Sequence, residues 1–424
     1  MNPLLIILGK TISLLARLKG SAGATWPGHI VLNLNPKFIR QVLRRSRTKI
    51  IVVAGTNGKT TTTKLIRTIL QEDGKKTFQN QTGANLLNGI ASSIVENSSL
   101  FGKLNYDYAV FEIDENTLPL VLKELTPNYL VLLNLFRDQL DRYGEVNIVA
   151  QKWLDAIKKL NKDTEIIANA DDPQIAFISQ KSQGVKSFFG VEGTKSKASH
   201  NIDSGYCPNC NSKLTFSSYT FSHLGNYKCP KCSFKRPKVK LEKISHYPLP
   251  GIYNKYNAHA AVLLTKKIGV QQKVIDSSLK NFKPAFGRQE IIEYQGKKVQ
   301  LFLSKNPTSF NESLRTMVEL GGKNVLFVLN DRIPDGRDVS WIWDVDLEEF
   351  IHKFKTITVS GDRTYDMALR VKYAEHKDFE AEPDLKKAIE SALEETPKSE
   401  TLYILPTYSA MLEVRQILTG KKIL

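Results

Sequence analysis

Apolar residues along this 424-residue chain fall into two patterns. Short β-branched or aliphatic runs at Ile51–Ala54, Tyr108–Ile113, Tyr129–Leu133 and Glu165–Ala168 each lead into a polar loop. Helical spacing follows, as over Lys64 to Leu70. This alternation, from residue 49 to about 190, predicts a doubly wound parallel sheet with its ligand at the carboxyl ends of the strands. Further strands at Val325–Leu329, Thr356–Val359 and Leu402–Leu405 predict a second α/β unit from about residue 290. At the start, Leu4, Leu5, Ile6, Ile7, Leu8, Ile12, Leu14 and Leu15 surround Lys10, with Arg17 just after. The charges sit within the apolar pattern and not ahead of it, so Met1–Leu18 reads as an amphipathic helix and not as a signal peptide. Such a helix either packs on the protein or lies on a bilayer. No apolar run reaches the ~18 residues of a membrane span. The expected organisation is an N-terminal helical cap (1–48), a central domain (49–289) and a C-terminal α/β domain (290–424).

The first of these strands empties into Gly55-Thr56-Asn57-Gly58-Lys59-Thr60-Thr61. Glycines allow backbone N–H groups to turn toward phosphate, Lys59 can reach the β- and γ-phosphates, and Thr60 can offer its hydroxyl to Mg²⁺. The polar stretch Gln81–Gly89, with Asn85 at its centre, has the composition of a site lining. The second strand ends in Glu112, Asp114 and Glu115. Acids at a strand end beside such a loop are suited to Mg²⁺, with Glu112 first. Asn254 and Asn257, three apart where a helix begins, place two amides on one face suited to a purine edge or phosphate, whereas His259 reads as packed or solvent-facing. Arg288 is a candidate phosphate-binding arginine.

All four cysteines form two knuckles, Cys207-Pro-Asn-Cys210 and Cys229-Pro-Lys-Cys232. That is zinc-ribbon spacing, predicting a structural Zn²⁺ in a segment (204–236) inserted in the central domain. Two disulfides are the alternative, disfavoured in a reducing cytosol. The net charge of +17 admits nucleic acid, anionic lipid or polyanionic small molecules as partners. Because the basic residues are scattered, charge alone does not choose among them.

Gly-Thr-Asn-Gly-Lys-Thr-Thr at 55–61, Asn-Ala-Asp-Asp-Pro at 169–173, the Gly251–Asn254–Asn257–Ala260 helix start and Gly287-Arg288 occur together and in order. In this the chain resembles the Mur ligase family of ATP-dependent amide-bond formers. The resemblance implies ATP and Mg²⁺ as cofactors and nucleotide contacts from Gly55 through Thr61, Asn85, Asn169, Asp172, Asn254, Asn257 and Arg288. It also implies Mg²⁺ at Thr60 and Glu112, and it places Lys152 near a carbamoylated lysine of the family. Where members usually have Asp-His-Leu-Asp, this chain reads Asp138-Gln139-Leu140-Asp141. Where they have Asp-Tyr-Ala-His-Asn-Pro, it reads Leu303-Ser304-Lys305-Asn306-Pro307.

These departures, the ribbon, and the segments Asp335–Trp343 and Gly361–Arg370 resemble a branch of the family that amidates a carboxyl of a lipid-linked peptidoglycan precursor. That implies a cytoplasmic protein at the inner face of the plasma membrane, in peripheral contact with it and without nucleic acid as a partner. It also implies a heterodimer with a GatD-type glutaminase, to whose Cys–His pair Asp338, or second Asp344, lends a carboxylate. Two other readings remain open at this point: an amino-acid-adding Mur or folylpolyglutamate-type ligase, and a nucleic-acid-binding zinc protein.

Overall fold

The computed structural model describes residues 2–18, 25–81, 83–138, 146–192, 204–376 and 378–421. Gln139, Leu140 and Asp141 lie outside them.

Strands β1 (Lys49–Ala54), β2 (Thr77–Gln79), β3 (Tyr108–Ile113), β4 (Tyr129–Leu132), β5 (Glu165–Asn169) and β6 (Lys186–Phe189) form one sheet in the order β2-β3-β1-β4-β5-β6. Every neighbouring pair in it is parallel. Strand β1 is buried on both faces, which is why its sequence is continuously apolar. Ile50, Val52 and Ala54 join one hydrophobic cluster and Ile51 and Val53 the other. The chain leaves β1 for one side of the sheet and β4 for the other. The strand order therefore reverses at β1, and a crevice opens above its carboxyl end.

A second sheet has the order β13-β12-β11-β14-β10-β9, with β9 Arg288–Tyr294, β10 Lys297–Phe302, β11 Asn324–Val328, β12 Thr356–Ser360, β13 Glu380–Ala381 and β14 Thr401–Pro406. Only the β9–β10 pair in it is antiparallel. Strand β11 repeats the logic of β1, with Val325 and Phe327 in one core and Leu326 and Val328 in the other. The cysteine knuckles flank an antiparallel ribbon, β7 (Thr215–Phe221) and β8 (Leu224–Lys228).

The helix Asn2–Leu18 packs with the helices Trp26–Leu34 and Leu87–Asn97. Its inner face includes Leu5, Ile6, Gly9 and Ser13. A side chain at Gly9 would come within 2.8 Å of Val95, so the two helices touch through a residue without a Cβ.

Candidate nucleotide site

A cavity of about 440 Å³ lies over the carboxyl end of β1, between the two sheets. Its floor is the glycine loop. Gly58 has φ of +88°, and a Cβ there would stand 2.1 Å from Asn257 Oδ1. Two independent constraints therefore require glycine, the left-handed backbone and the approach of the Asn257 amide. The loop is fastened to the strand end beyond β4. Asn57 N donates to Asn134 Oδ1 (2.9 Å) and Phe136 N to Thr56 Oγ1 (3.0 Å). The helix Lys59–Glu72 starts directly behind the loop, with Leu65, Ile66, Ile69 and Leu70 buried, so its first-turn N–H groups and dipole face the crevice.

Four charged groups meet here: Lys59, Glu115, Glu112 and Arg288. Lys59 Nζ donates to Gly55 O (2.6 Å), Thr56 O (3.0 Å) and Glu115 Oε2 (3.1 Å), using all three of its protons. Burial opposes ionisation of Glu115, yet Lys59 and then Lys305 outweigh it and hold the carboxyl below its ordinary value. Thr60 Oγ1 donates to Glu112 Oε1 (2.9 Å), so the hydroxyl and the carboxylate predicted for Mg²⁺ already share one point in space. Glu112 is held in register by Asn80, which accepts from its N–H (2.9 Å) and donates to its C=O (2.8 Å). Arg288 faces the same cavity. Burial pulls its guanidinium below the usual range, against the field of Glu112.

The roof comes from the second sheet. Strand β10 ends at Phe302, and the turn that follows carries Lys305 and Asn306 down onto the first domain. Lys305 Nζ pairs with Asp138 Oδ2 at 2.5 Å, and Asn306 Nδ2 donates to Asn57 Oδ1 at 3.2 Å. Asn306 also caps the helix Pro307–Glu319 through the N–H of Ser309. Arg137 and Asp344 add a 2.8 Å ion pair across the same boundary.

The structure brings Thr56 through Thr61, Asn85, Glu112, Asn254, Asn257 and Arg288 to one cavity. Asn254 and Asn257 are mutually bonded (Nδ2 of Asn257 to Oδ1 of Asn254, 3.1 Å). Gly55 anchors the loop from beneath through its carbonyl. Asn169 and Asp172 are placed differently, for both are fully buried outside the cavity lining. Asp172 caps the helix Pro173–Gln180 and also accepts from Leu135 N, while Asn169 Oδ1 accepts from Asp171 N. Both therefore shape the floor behind the loop. Lys152 is exposed on the helix Val146–Ile157 and lines no part of the cavity. His259 is packed, as expected, its Nε2 3.0 Å from the Tyr247 hydroxyl, with burial pushing the ring down to about 4.

Glu115, one of the three acids expected at the strand end, serves as the partner of Lys59, whereas Lys305 and Glu312 belong to the site without having stood out as site residues in the sequence. The Lys305 segment is conspicuous in sequence for the acid and histidine it lacks, which hides the cation it contains. Glu312 sits in a plain amphipathic helix. Its Oε1 accepts from Arg315 Nε at 3.3 Å, its Oε2 is buried without a partner, and it lines the cavity. Burial raises its carboxyl from 4.5 to about 7, with Arg315 opposing. A folded-state value above the unfolded one means that the native state holds the proton more tightly. The contribution of Glu312 to stability should therefore fall by roughly 3 kcal/mol as pH rises from 4.5 to 7 and level off above that, while the buried His259, held down at about 4, contributes the opposite slope between about 4 and 6.5. The difference in stability between the wild type and Glu312→Gln, from denaturant titrations across that range, should isolate the Glu312 slope.

The four cysteine sulfurs lie within 4.8 Å of one another, and the closest pairs are Cys210–Cys229 at 3.4 Å and Cys207–Cys232 at 3.6 Å. This is the donor set and spacing of a tetrahedral thiolate zinc site with no open position. Elemental analysis should find one zinc per chain in protein purified without chelators. Cys229→Ser should lower the melting temperature by several degrees and weaken nucleotide binding far less than Lys59→Ala does, because the ribbon reaches the cavity only through the apolar Phe221 and Leu224.

Comparison with known proteins agrees with this architecture. Residues 53–265 match the Mur ligase middle domain and residues 303–411 the MurT ligase C-terminal domain. The MurT subunit of the glutamine-hydrolysing lipid II isoglutaminyl synthase of Staphylococcus aureus is 33% identical over 87% of each chain. That of Streptococcus pneumoniae is 32% identical over 95% of this chain and 93% of its own. Among solved structures, a type C pseudomurein peptide ligase from Methanothermus fervidus superimposes with a TM-score of 0.66 at 22% identity, covering 92% of this chain and 83% of that one. MurF ligase from Thermotoga maritima, solved with ADP, also gives 0.66 at 16% identity with the same coverage. The chain is a Mur-type ligase and belongs to the Mur ligase family, in its MurT branch.

Proposed function

We propose that this chain is the ligase subunit of a glutamine-dependent amidating enzyme of peptidoglycan synthesis, converting the D-glutamate α-carboxyl of the lipid II stem peptide to the amide. The observation that carries this reading is the glycine loop, Lys59, Thr60, Glu112 and Arg288 gathered at one cavity in a chain whose four cysteines all lie in the ribbon. Such a chain would activate a carboxylate, but it has no cysteine outside the ribbon with which to release ammonia from glutamine. Its likeness in sequence to two MurT subunits over most of its length supports the same assignment.

The carboxylate oxygen attacks the γ-phosphorus of ATP and ADP leaves, giving an acyl phosphate. The lone pair of ammonia then attacks the acyl carbon, phosphate departs and the nitrogen loses a proton. Mg²⁺, for which Thr60 and Glu112 are the fitting donors, would neutralise phosphate charge when bound. The glycine loop presents N–H donors to the phosphates, and Lys59 exchanges one of its present acceptors for a phosphate oxygen. Lys305 and Arg288 add positive charge from the roof and the wall.

Ammonia would come from a GatD-type glutaminase docked on the C-terminal sheet. Asp338 supports this docking face. It is exposed in the turn before the short 3₁₀ helix Ser340–Asp344, and the Ser340 hydroxyl, then the Ser340 N–H (2.8 Å), hold its carboxyl below the usual range. Beside that helix, Trp343, Tyr365, Leu369 and Tyr373 are exposed, the last three along one side of the helix Thr364–Tyr373. An exposed aromatic stripe of this kind is typical of an interface centre. Asp335 is buried on Ser409, and Asp344 is paired with Arg137, which leaves Asp338 the better placed acid. The test is nitrogen source. The purified chain should amidate with ammonium and not with glutamine, and glutamine use without a partner would overturn the reading.

A further inference from the structure

The helix Asn2–Leu18 has a second apolar face that the fold does not use. Leu4, Ile7, Leu8, Leu14, Leu15 and Leu18 are 39–75% exposed. At 3.6 residues per turn they fall in a stripe about 120° wide, centred opposite the packed Leu5, Ile6, Gly9 and Ser13. Leu100 and Phe101 are exposed as well, in the turn whose Gly102 approaches Ile6 on the packed side of this helix (3.2 Å from a Cβ to Cδ1), so they add a second apolar spot beside it. An exposed apolar stripe of this kind marks a binding face.

Charge indicates what binds there. Residues 1–48 contain eight Lys or Arg, and no Asp or Glu precedes Glu72. A second copy would set one basic, acid-free segment against another, whereas an anionic lipid headgroup layer complements it. No helix among the described residues is long and apolar enough to cross a membrane, so the helix would lie in the interface. We propose that Asn2–Leu18, with the Leu100–Phe101 turn, seats the protein on an anionic bilayer through this stripe. The inference deepens the proposed reaction, whose acceptor is lipid-borne, but its test needs no substrate.

The purified chain should co-sediment with vesicles of phosphatidylglycerol and phosphatidylcholine and much less with phosphatidylcholine alone. Leu8→Glu with Leu15→Glu should weaken partitioning roughly tenfold or more. Because both side chains face solvent, the melting temperature and nucleotide binding should be unchanged. Phe101→Ser, away from the helix, gives a second variant with the same expected direction. Failure of the wild-type chain to sediment, or unchanged sedimentation of the variants, would overturn the proposal. So would a concentration-dependent dimer that the double variant abolishes. None of these outcomes would affect the amidation assignment.

Discussion

Lys59→Ala should abolish amidation, lowering turnover by roughly a hundredfold or more with either nitrogen source, because it removes the one cation rooted in the glycine loop. The structure adds a consequence that the motif alone does not carry. Lys59 is buried against Glu115, so its removal leaves that carboxylate with only Lys305 nearby. Removing one partner of a buried pair costs about 3–5 kcal/mol, and Lys59→Ala should therefore also melt early. Adding Glu115→Gln removes the stranded charge and should restore the melting temperature without restoring turnover. Recovery of both would make Lys59 a structural residue, whereas recovery of neither would place the damage in the loop itself. Glu112→Ala is expected to match Lys59→Ala in activity, with Thr60 losing its 2.9 Å acceptor.

The second large effect separates the two chemistries. Asp338→Asn should impair glutamine-driven amidation strongly while leaving ammonium-driven amidation near normal, since the residue lies outside the nucleotide cavity. An exposed carboxylate can orient a partner histidine, and an amide in its place favours the wrong tautomer, an effect that reaches about 10⁴-fold in a protease triad. Partner binding should survive, because one carboxylate beside an aromatic stripe is a small part of an interface. Equal loss with both nitrogen sources would move Asp338 into folding or the ligase site. An unaffected glutamine rate would transfer the role to Asp344.

Much of this architecture could be read before any coordinates, for physical reasons that also explain what could not. Strands β1, β3, β4 and β5 are buried on both faces, so their apolar runs are nearly unbroken and their ends fall within two residues of expectation. Strand β9 is half exposed at a sheet edge and reads Arg-Gln-Glu-Ile-Ile-Glu-Tyr, a pattern that does not distinguish a strand from a loop. Residues of the site that follow a strand end, such as the loop through Thr61 and Glu112, were legible because position along the chain fixes their place. Lys305, Asn306 and Glu312 become part of the site only when the second sheet closes over the first, and no local pattern encodes that closure. Asn169 and Asp172 illustrate the reverse case. They are prominent in sequence, yet the structure gives their polar atoms to a helix cap and a turn.

The central claim is that the chain joins ammonia, not an amino acid, to an activated carboxylate. Purified protein should be incubated with ATP, Mg²⁺ and a lipid-linked stem peptide, with ammonium and a mixture of free amino acids present together, and the product weighed by mass spectrometry. The account predicts that one carboxyl is converted to its amide, dependent on ATP and lost in Lys59→Ala. Addition of an amino-acid residue, or amide formation that persists without ATP, would contradict it.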